Sequence, residues 1–283
     1  MAQLLQGKAV SGALNEHLKQ EVLTLNGKGI HPTLGIIRIG EREDDIAYER
    51  GAVKRAETVG IRVKQHQFEQ SITQESLLAE IEKINRDDTI HGVLLLRPLP
   101  KHIDDAVICG ALLPSKDIDG ITRQSMAGVY AGDDSVFPPC TPKACMEILD
   151  YYGIDVAGKK AAVIGRSLVV GKPAAMMLIK KNATVTVCHT KTKDIPSICR
   201  GADILIVAAG KAKSVGKEFV HENQIVIDVG INIDEEGNLC GDVDFNAAEP
   251  IVKAITPVPG GVGTVTTGIL MKHVVEAAKK QKQ

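Results

Sequence analysis

Short aliphatic runs, each cut off by Gly or Pro, recur along this chain with amphipathic stretches between them. Runs of four to seven such residues suit parallel strands covered on both faces, and parallel neighbours need a crossover, usually a helix. Read this way, the first half gives a helix at 10–25, a strand at 33–39, a helix at about 45–58 stopped by Gly60, a strand at 62–67, a helix at 71–85 and a strand at 92–96. Pro98 and Pro100 end that strand, and residues 114–139 read as loop. Thr141 as a cap and Pro142 as a first helical residue then introduce a linking helix at about 143–152. A second series follows: strand 160–164, helix 171–180, strand 184–188, helix 194–199, strands 204–208 and 224–228, and a closing helix at 267–280. The pattern predicts two α/β domains, one from residues 1–142 with 267–283 and the other from 143–266, and a length of 283 residues suits that division.

Charge excludes several functions. The 34 basic and 35 acidic side chains leave a formal charge of -1, so the chain lacks the positive field of a nucleic-acid or anionic-membrane binder. Six cysteines (Cys109, Cys140, Cys145, Cys188, Cys199 and Cys240) form no CxxC pair and no Cys/His group at zinc spacing. That points away from a structural metal or disulfide framework and toward the reduced thiols of a cytoplasmic enzyme. No apolar run reaches membrane-spanning length, and residues 1–8 carry no targeting pattern.

The strand ending at Ile164 runs into Gly165-Arg166-Ser167, with Gly171 opening the next helix. Such a turn lets phosphates approach backbone N–H groups at the positive end of a helix. It is not GxGxxG, and an ordinary βα turn would also use glycine here. The following strand ends Cys188-His189-Thr190-Lys191, without the acid that would accept from the ribose hydroxyls of NAD. Arg166, Thr190 and Lys191 all donate to phosphate oxygens, so a Rossmann-like dinucleotide-binding domain with NADP favoured over NAD is expected. Ala208-Ala209-Gly210 and Asp228-Val229-Gly230-Ile231 follow later strands, and 258–263 forms a Pro/Gly loop that would pass the nicotinamide. The expected cofactor contacts are Gly165, Arg166, Ser167, Thr190, Gly210, Gly230, Ile231 and Gly263.

Several segments together resemble the bifunctional methylenetetrahydrofolate dehydrogenase/methenyltetrahydrofolate cyclohydrolase family: Lys116-Asp117-Ile118-Asp119-Gly120, Pro139-Cys140-Thr141-Pro142, Gly165-Arg166-Ser167 with Val170-Gly171, residues 182–186, Gly241-Asp242-Val243 and residues 256–263. The resemblance covers nearly the whole chain. It implies a homodimer in which each subunit has a folate-binding catalytic domain, an NADP-binding domain and a cleft between them. It implies oxidation of 5,10-methylenetetrahydrofolate to the methenyl form and hydration of that to 10-formyltetrahydrofolate. The family's Tyr corresponds to Tyr48, beside the folate, and its pterin-binding Asp to Asp119. Pro259, Gly260 and Gly261 join these two as expected substrate contacts.

Three family positions depart from the pattern. The Lys four residues after the Tyr is Ala52, the Gln of Q-x-P-x-P is Leu96, and the Ser three residues before the Tyr is Asp45. Lys54 stands at i+6 from Tyr48, off its helix face. Arg97 adjoins the altered strand position, but strand alternation points it away from the Leu96 side. Hydride transfer mainly needs the methylene carbon held against the nicotinamide, a matter of positioning. Hydration needs an activated water and a stabilised oxyanion, work for a tuned amine. The residues therefore predict a retained dehydrogenase with weak or absent cyclohydrolase. The alternatives are the ordinary bifunctional enzyme and a folate- and nucleotide-binding protein without catalysis.

Overall fold

The structure is a computed structural model that describes residues 1–281. In chain order its elements are β1 (Gln3–Leu4), α1 (Gly7–Gly27), β2 (Thr33–Ile39), α2 (Glu43–Val59), β3 (Arg62–Phe68), α3 (Gln74–Arg86) and β4 (Gly92–Leu95). Two short helices, α4 (Asp105–Ala111) and α5 (Arg123–Ala131), precede α6 (Cys140–Tyr151). Then come β5 (Lys160–Ile164), α7 (Gly171–Lys180), β6 (Thr184–Cys188), α8 (Ile195–Arg200), β7 (Ile204–Val207) and β8 (Ile225–Asp228). The chain finishes with β9 (Asn232–Ile233), β10 (Leu239–Cys240), α9 (Phe245–Ala248), β11 (Ala254–Ile255) and α10 (Val262–Lys280).

Two compact units result, one of Ala13–Cys140 with Thr267–Gln283 and one of Met1–Gly12 with Thr141–Thr266. The first holds a parallel three-stranded sheet in the order β3-β2-β4. Its centre strand β2 and one edge strand, β4, are buried almost throughout, whereas the other edge strand, β3, alternates between half-buried and exposed. That contrast follows from cover: Ile37, Ile39, Val93 and Leu95 pack with Leu77, Ile81 and Ile84 of α3 and with Ile108 of α4. The second unit holds a parallel six-stranded sheet, β1-β11-β8-β7-β5-β6.

In both sheets the chain reverses its direction of winding beside one strand. β2 is flanked by β3 on one side and β4 on the other, and β5 by β6 and β7. At such a switch point the loops leaving the two central strands diverge to opposite faces and open a crevice at their carboxyl ends. The loops that follow β2 and β4 in one unit, and β5 and β7 in the other, are thereby set out for ligands.

The observed elements add α4, β9, β10, α9 and β11 to the sequence expectation and differ from it at four further places. The first twelve residues belong with the second half, because Gln3 and Leu4 pair with Ala254 and Ile255 of β11. A two-residue strand has no periodicity to read. Residues 114–139 contain the helix α5, whose first turn is capped by Thr122 Oγ1 accepting from the Ser125 N–H at 3.1 Å. Thr141 and Pro142 lie inside the first turn of α6 rather than before it. The closing helix starts at Val262, five residues early, which places Gly263 in its first turn.

Gly92 links this frame to the candidate site. A Cβ there would lie 2.5 Å from Ile118 Cγ2, and Ile118 immediately precedes Asp119. Gly92→Ala is expected to destabilise by about 1–3 kcal/mol through overpacking, and Ile118→Ala, which removes the clashing Cγ2, to cost less in the Gly92→Ala chain than in wild type. Urea unfolding of the two single variants and the double variant checks it, since contacting residues give non-additive changes.

Candidate functional site

In the three-stranded unit the Lys116–Gly120 motif divides its labour. The Lys116 ammonium donates to the carbonyls of Ile84 (2.7 Å) and Asp87 (2.8 Å) and anchors the segment. Asp117 is fully buried and turns inward, its oxygens accepting the N–H groups of Ile121 (3.0 Å) and Thr122 (2.8 Å). Gly120 has φ +64°, and a Cβ on it would sit 2.8 Å from the Phe137 carbonyl oxygen and 2.7 Å from Pro139 N. The residue before it, Asp119, accepts the Cys140 N–H at 3.1 Å. The two motifs that stand out in the sequence thus form one junction. His273 completes it: its Nδ1 lies 2.8 Å from the Ile118 carbonyl oxygen, and its ring is 5.0 Å from that of Phe137.

Burial pushes the Asp119 carboxyl above its ordinary range; the Cys140 N–H and Arg97 oppose this, and Asp117 adds to it. Tyr48 lies within the field of this carboxyl. Burial first, then Asp119 and Cys140, raise the phenol well above its usual value, so it stays protonated as a hydrogen-bonding group rather than acting as a base.

The rotation of α2 that aims Tyr48 is fixed next door. Glu49 is buried, and its carboxylate accepts Arg38 Nε (2.6 Å), Gln65 Nε2 (2.9 Å) and Gln67 Nε2 (3.2 Å). Burial alone would raise its pKa, but these donors outweigh it and hold the carboxylate below its usual range. Asp45, Glu49, Ala52 and Ala56 form the buried stripe of the helix. Lys54 is exposed, and the Arg97 guanidinium is held by Asp105 (Nε to Oδ1, 2.7 Å).

In the six-stranded unit the Gly165 turn is closely folded on itself. A Cβ on Gly165 would lie 2.3 Å from the Ala208 carbonyl oxygen, and one on Gly171 2.1 Å from the Gly165 carbonyl oxygen. The turn therefore needs both glycines to reach the N-terminus of α7, and it leaves Arg166 and Ser167 exposed there, with Thr190 exposed at the end of β6. A chain that ends β6 with Cys188-His189-Thr190 and exposes a guanidinium and hydroxyls at a helix N-terminus fits a phosphate-bearing dinucleotide.

Gly230, Ile231, Pro259, Gly260, Gly261 and Gly263 line a single cavity of about 260 Å³ with Asp228, Leu239 and Thr264. A Cβ on Gly263 would meet Ile231 Cδ1 at 3.5 Å. Gly165, Arg166, Ser167, Thr190 and Gly210 stand outside this cavity's lining. The floor of the 257–261 loop is Gly7, which donates its N–H to the Gly260 carbonyl (2.8 Å) and whose Cβ would collide with the Gly261 carbonyl oxygen at 2.1 Å. The sequence offered no sign of that contact, because some 250 residues separate its halves.

Asp228 and Asp242, both buried, were also not anticipated as parts of the site. Apart from Gly230, which lies two residues from Asp228, their backbone partners are 14 to 32 residues away. Among the described residues no group of His, Cys, Asp or Glu has the arrangement of a metal site, and no helix is long and apolar enough to cross a membrane.

Two family models match the chain and divide it between residues 119 and 139, near the boundary of the two units at 140/141. The tetrahydrofolate dehydrogenase/cyclohydrolase catalytic domain matches residues 5–119, and the NAD(P)-binding domain of the same family matches residues 139–282. The chain belongs to the tetrahydrofolate dehydrogenase/cyclohydrolase family. It is 51% identical over 281 residues to the bifunctional protein FolD of Carboxydothermus hydrogenoformans, covering 99% of this chain and 98% of that one. It is 50% identical to FolD of Clostridioides difficile, covering 99% and 97%. Among solved structures, FolD of Campylobacter jejuni superposes with a TM-score of 0.97 at 42% identity, covering 99% of both chains. The Trypanosoma brucei enzyme, solved with NADP and an inhibitor, gives 0.92 at 34% identity over 100% and 99%. The α/β reading with a Rossmann-like second domain agrees with these family members.

Burial pushes the Asp228 carboxyl up to about 6; the N–H groups of Val243, Gly230 and Asp242 oppose the rise and the Asp242 charge adds to it. A carboxyl whose pKa is higher folded than unfolded binds its proton more tightly in the native state, so it adds stability as pH falls through 6 toward 3.8. The stability advantage of wild type over Asp228→Asn should therefore widen as pH is lowered from 7 to 4.5. Thermal melts of both proteins across that interval measure it.

Proposed function

We propose that this chain catalyses the NADP-linked oxidation of 5,10-methylenetetrahydrofolate to 5,10-methenyltetrahydrofolate, with the three-stranded unit taking the folate and the six-stranded unit the dinucleotide. The observation that carries the reading is the junction of the Asp117 turn with residues 137–140, which holds the Asp119 carboxyl against the Cys140 N–H and within the field of the Tyr48 phenol. Asp119 would accept from the amino and ring N–H groups of the pterin, and Tyr48 would hydrogen-bond or stack near the methylene carbon. NADP, when bound, supplies the hydride acceptor. The cation left on the folate is shared by the two nitrogens flanking the oxidised carbon, so no side chain has to remove a proton. What the protein contributes is orientation. Arg166, Ser167 and Thr190 would meet the phosphate-bearing end of the dinucleotide, and Gly210, Gly230, Ile231 and Gly263 the remainder. Pro259, Gly260 and Gly261 would face the substrate.

The names of the relatives favour the bifunctional form, in which the methenyl product is hydrated to 10-formyltetrahydrofolate. The expectation of a weak cyclohydrolase has two residue identities behind it, Ala52 and Leu96, both buried, and gains no support from those relatives. Following the methenyl absorbance decides between them: decay faster than the enzyme-free rate establishes the bifunctional reading, and decay at that rate establishes a dehydrogenase alone. Binding of both ligands with no absorbance change would leave the non-catalytic alternative. Light scattering during gel filtration tests the homodimer that the family resemblance implies.

Asp119→Asn removes charge-assisted bonds to the pterin and should lower kcat/KM for methylenetetrahydrofolate by about tenfold or more. The dissociation constant for NADP should stay unchanged, and titration of the variant with NADP reads that half of the expectation.

A further inference from the structure

The Gly241-Asp242-Val243 motif has no task in the reaction as described, and its geometry supplies one. Asp242 is fully buried, yet its carboxylate reaches two separate loops. Its Oδ2 accepts the Gly210 N–H at 2.9 Å, and its Oδ1 accepts the Lys211 N–H and the Asn232 side-chain amide, each at 2.9 Å. Asp228 reciprocates from the end of β8: its Oδ1 accepts the N–H groups of Gly230 (2.9 Å) and Asp242 (3.1 Å), and its Oδ2 accepts that of Val243 (2.9 Å). Thr256 Oγ1 takes the Asp228 N–H at 2.8 Å and ties in the segment leading to the Pro/Gly loop.

Two glycines exist for these carboxylates. A Cβ on Gly230 would fall 2.4 Å from Asp242 Cγ, and one on Gly241 1.9 Å from Asp228 Oδ2. Gly230 is thus small because Asp242 needs the space, while it also lines the cavity. The peptide planes add a further constraint. With the N–H groups of Gly210, Lys211 and Gly230 turned to carboxylates, the carbonyls of Ala209, Gly210 and Val229 in the same planar peptides point the opposite way. These loops therefore offer a ligand acceptors, not the donors that a phosphate requires.

Two like charges taken out of water a few ångströms apart are an expensive way to hold a chain together, and a neutral core would do so more cheaply. We propose that Asp242, seconded by Asp228, is a positioning residue for the dinucleotide: it locks the loops after β7 and β8 in one geometry, so that Ile231 and the acceptor face of residues 209–210 and 229 are set before the cofactor arrives. The proposal rests on the assignment of those loops to the cofactor. Preorganisation of this kind lowers the cost of binding without the residue touching the ligand.

The experiment uses the full chain and NADP. Asp242→Asn keeps the size of the side chain but aims an amide at an N–H group. It should raise both the dissociation constant and the KM for NADP by about tenfold or more, with the KM for methylenetetrahydrofolate unmoved. Asn232→Ala removes one donor from the half-exposed β9 strand and decides the matter if Asp242→Asn does not fold; it should shift NADP affinity in the same direction by less. Asp242→Glu, which retains both oxygens, should recover part of the affinity. Folded variants with unchanged NADP binding overturn the proposal, as does an equal rise in both KM values, which would mark a general loss of structure. Failure of the wild-type protein itself to bind NADP would overturn the cofactor assignment on which the proposal stands, and titrating wild type first separates that case from the others.

Discussion

A carboxylate withdrawn from water must be surrounded by donors or it destabilises the fold by several kcal/mol, and both units use this requirement to shape the loops that bear the candidate site. Asp117 collects two backbone N–H groups and so forces the turn that presents Asp119 and begins α5. Asp228 and Asp242 do the same work at the ends of β8 and β7. Glu49 gathers an arginine and two glutamines and fixes the rotation of α2 under Tyr48. In each case a loop or helix that apolar packing could hold in several ways is reduced to one, because a different geometry would strand a charge.

The same rule explains which acids of this chain are structural and which are available. Within Lys116–Gly120 the lysine and the first aspartate are buried and spent on backbone groups, and the second aspartate lies half-buried beside Cys140 and Tyr48. The motif reads as a chemical signature in the sequence, yet most of it is scaffolding for one side chain.

Legibility followed the range of the interaction. Periodic strands such as β2, β5 and β6, and the helix α2 with its Gly60 stop at φ 82°, are local and were readable from residue pattern. The glycines at 165 and 171 announced a tight turn before a helix. What could not be read depends on contacts across the chain. The pairing of Gln3 with Ala254, the packing of Gly7 on Gly261 and the reach of Asp242 to Gly210 join segments with no shared pattern. α5 was missed because its nine residues carry two glycines' worth of irregularity, at 128 inside it and 132 beyond it, and Val136 packs where a Gly128 side chain would be.

The two reactions of the family ask different things of this framework. Hydride transfer draws on orientation, and orientation here comes from Glu49, Asp117 and the paired aspartates, none of which involves position 52 or 96. Ala52 occupies the buried stripe between Glu49 and Ala56, so α2 keeps its seat on the sheet without a lysine. Leu96 donates its backbone N–H to the Ile37 carbonyl at 3.0 Å, a bond indifferent to its side chain. Both positions accommodate a buried apolar side chain, so their identity bears on chemistry that needs a polar group at those points. Water activation is such a step and positioning of the methylene carbon is not. A chain built this way can lose or replace the residues of the hydration step while the framework for the oxidation stays intact.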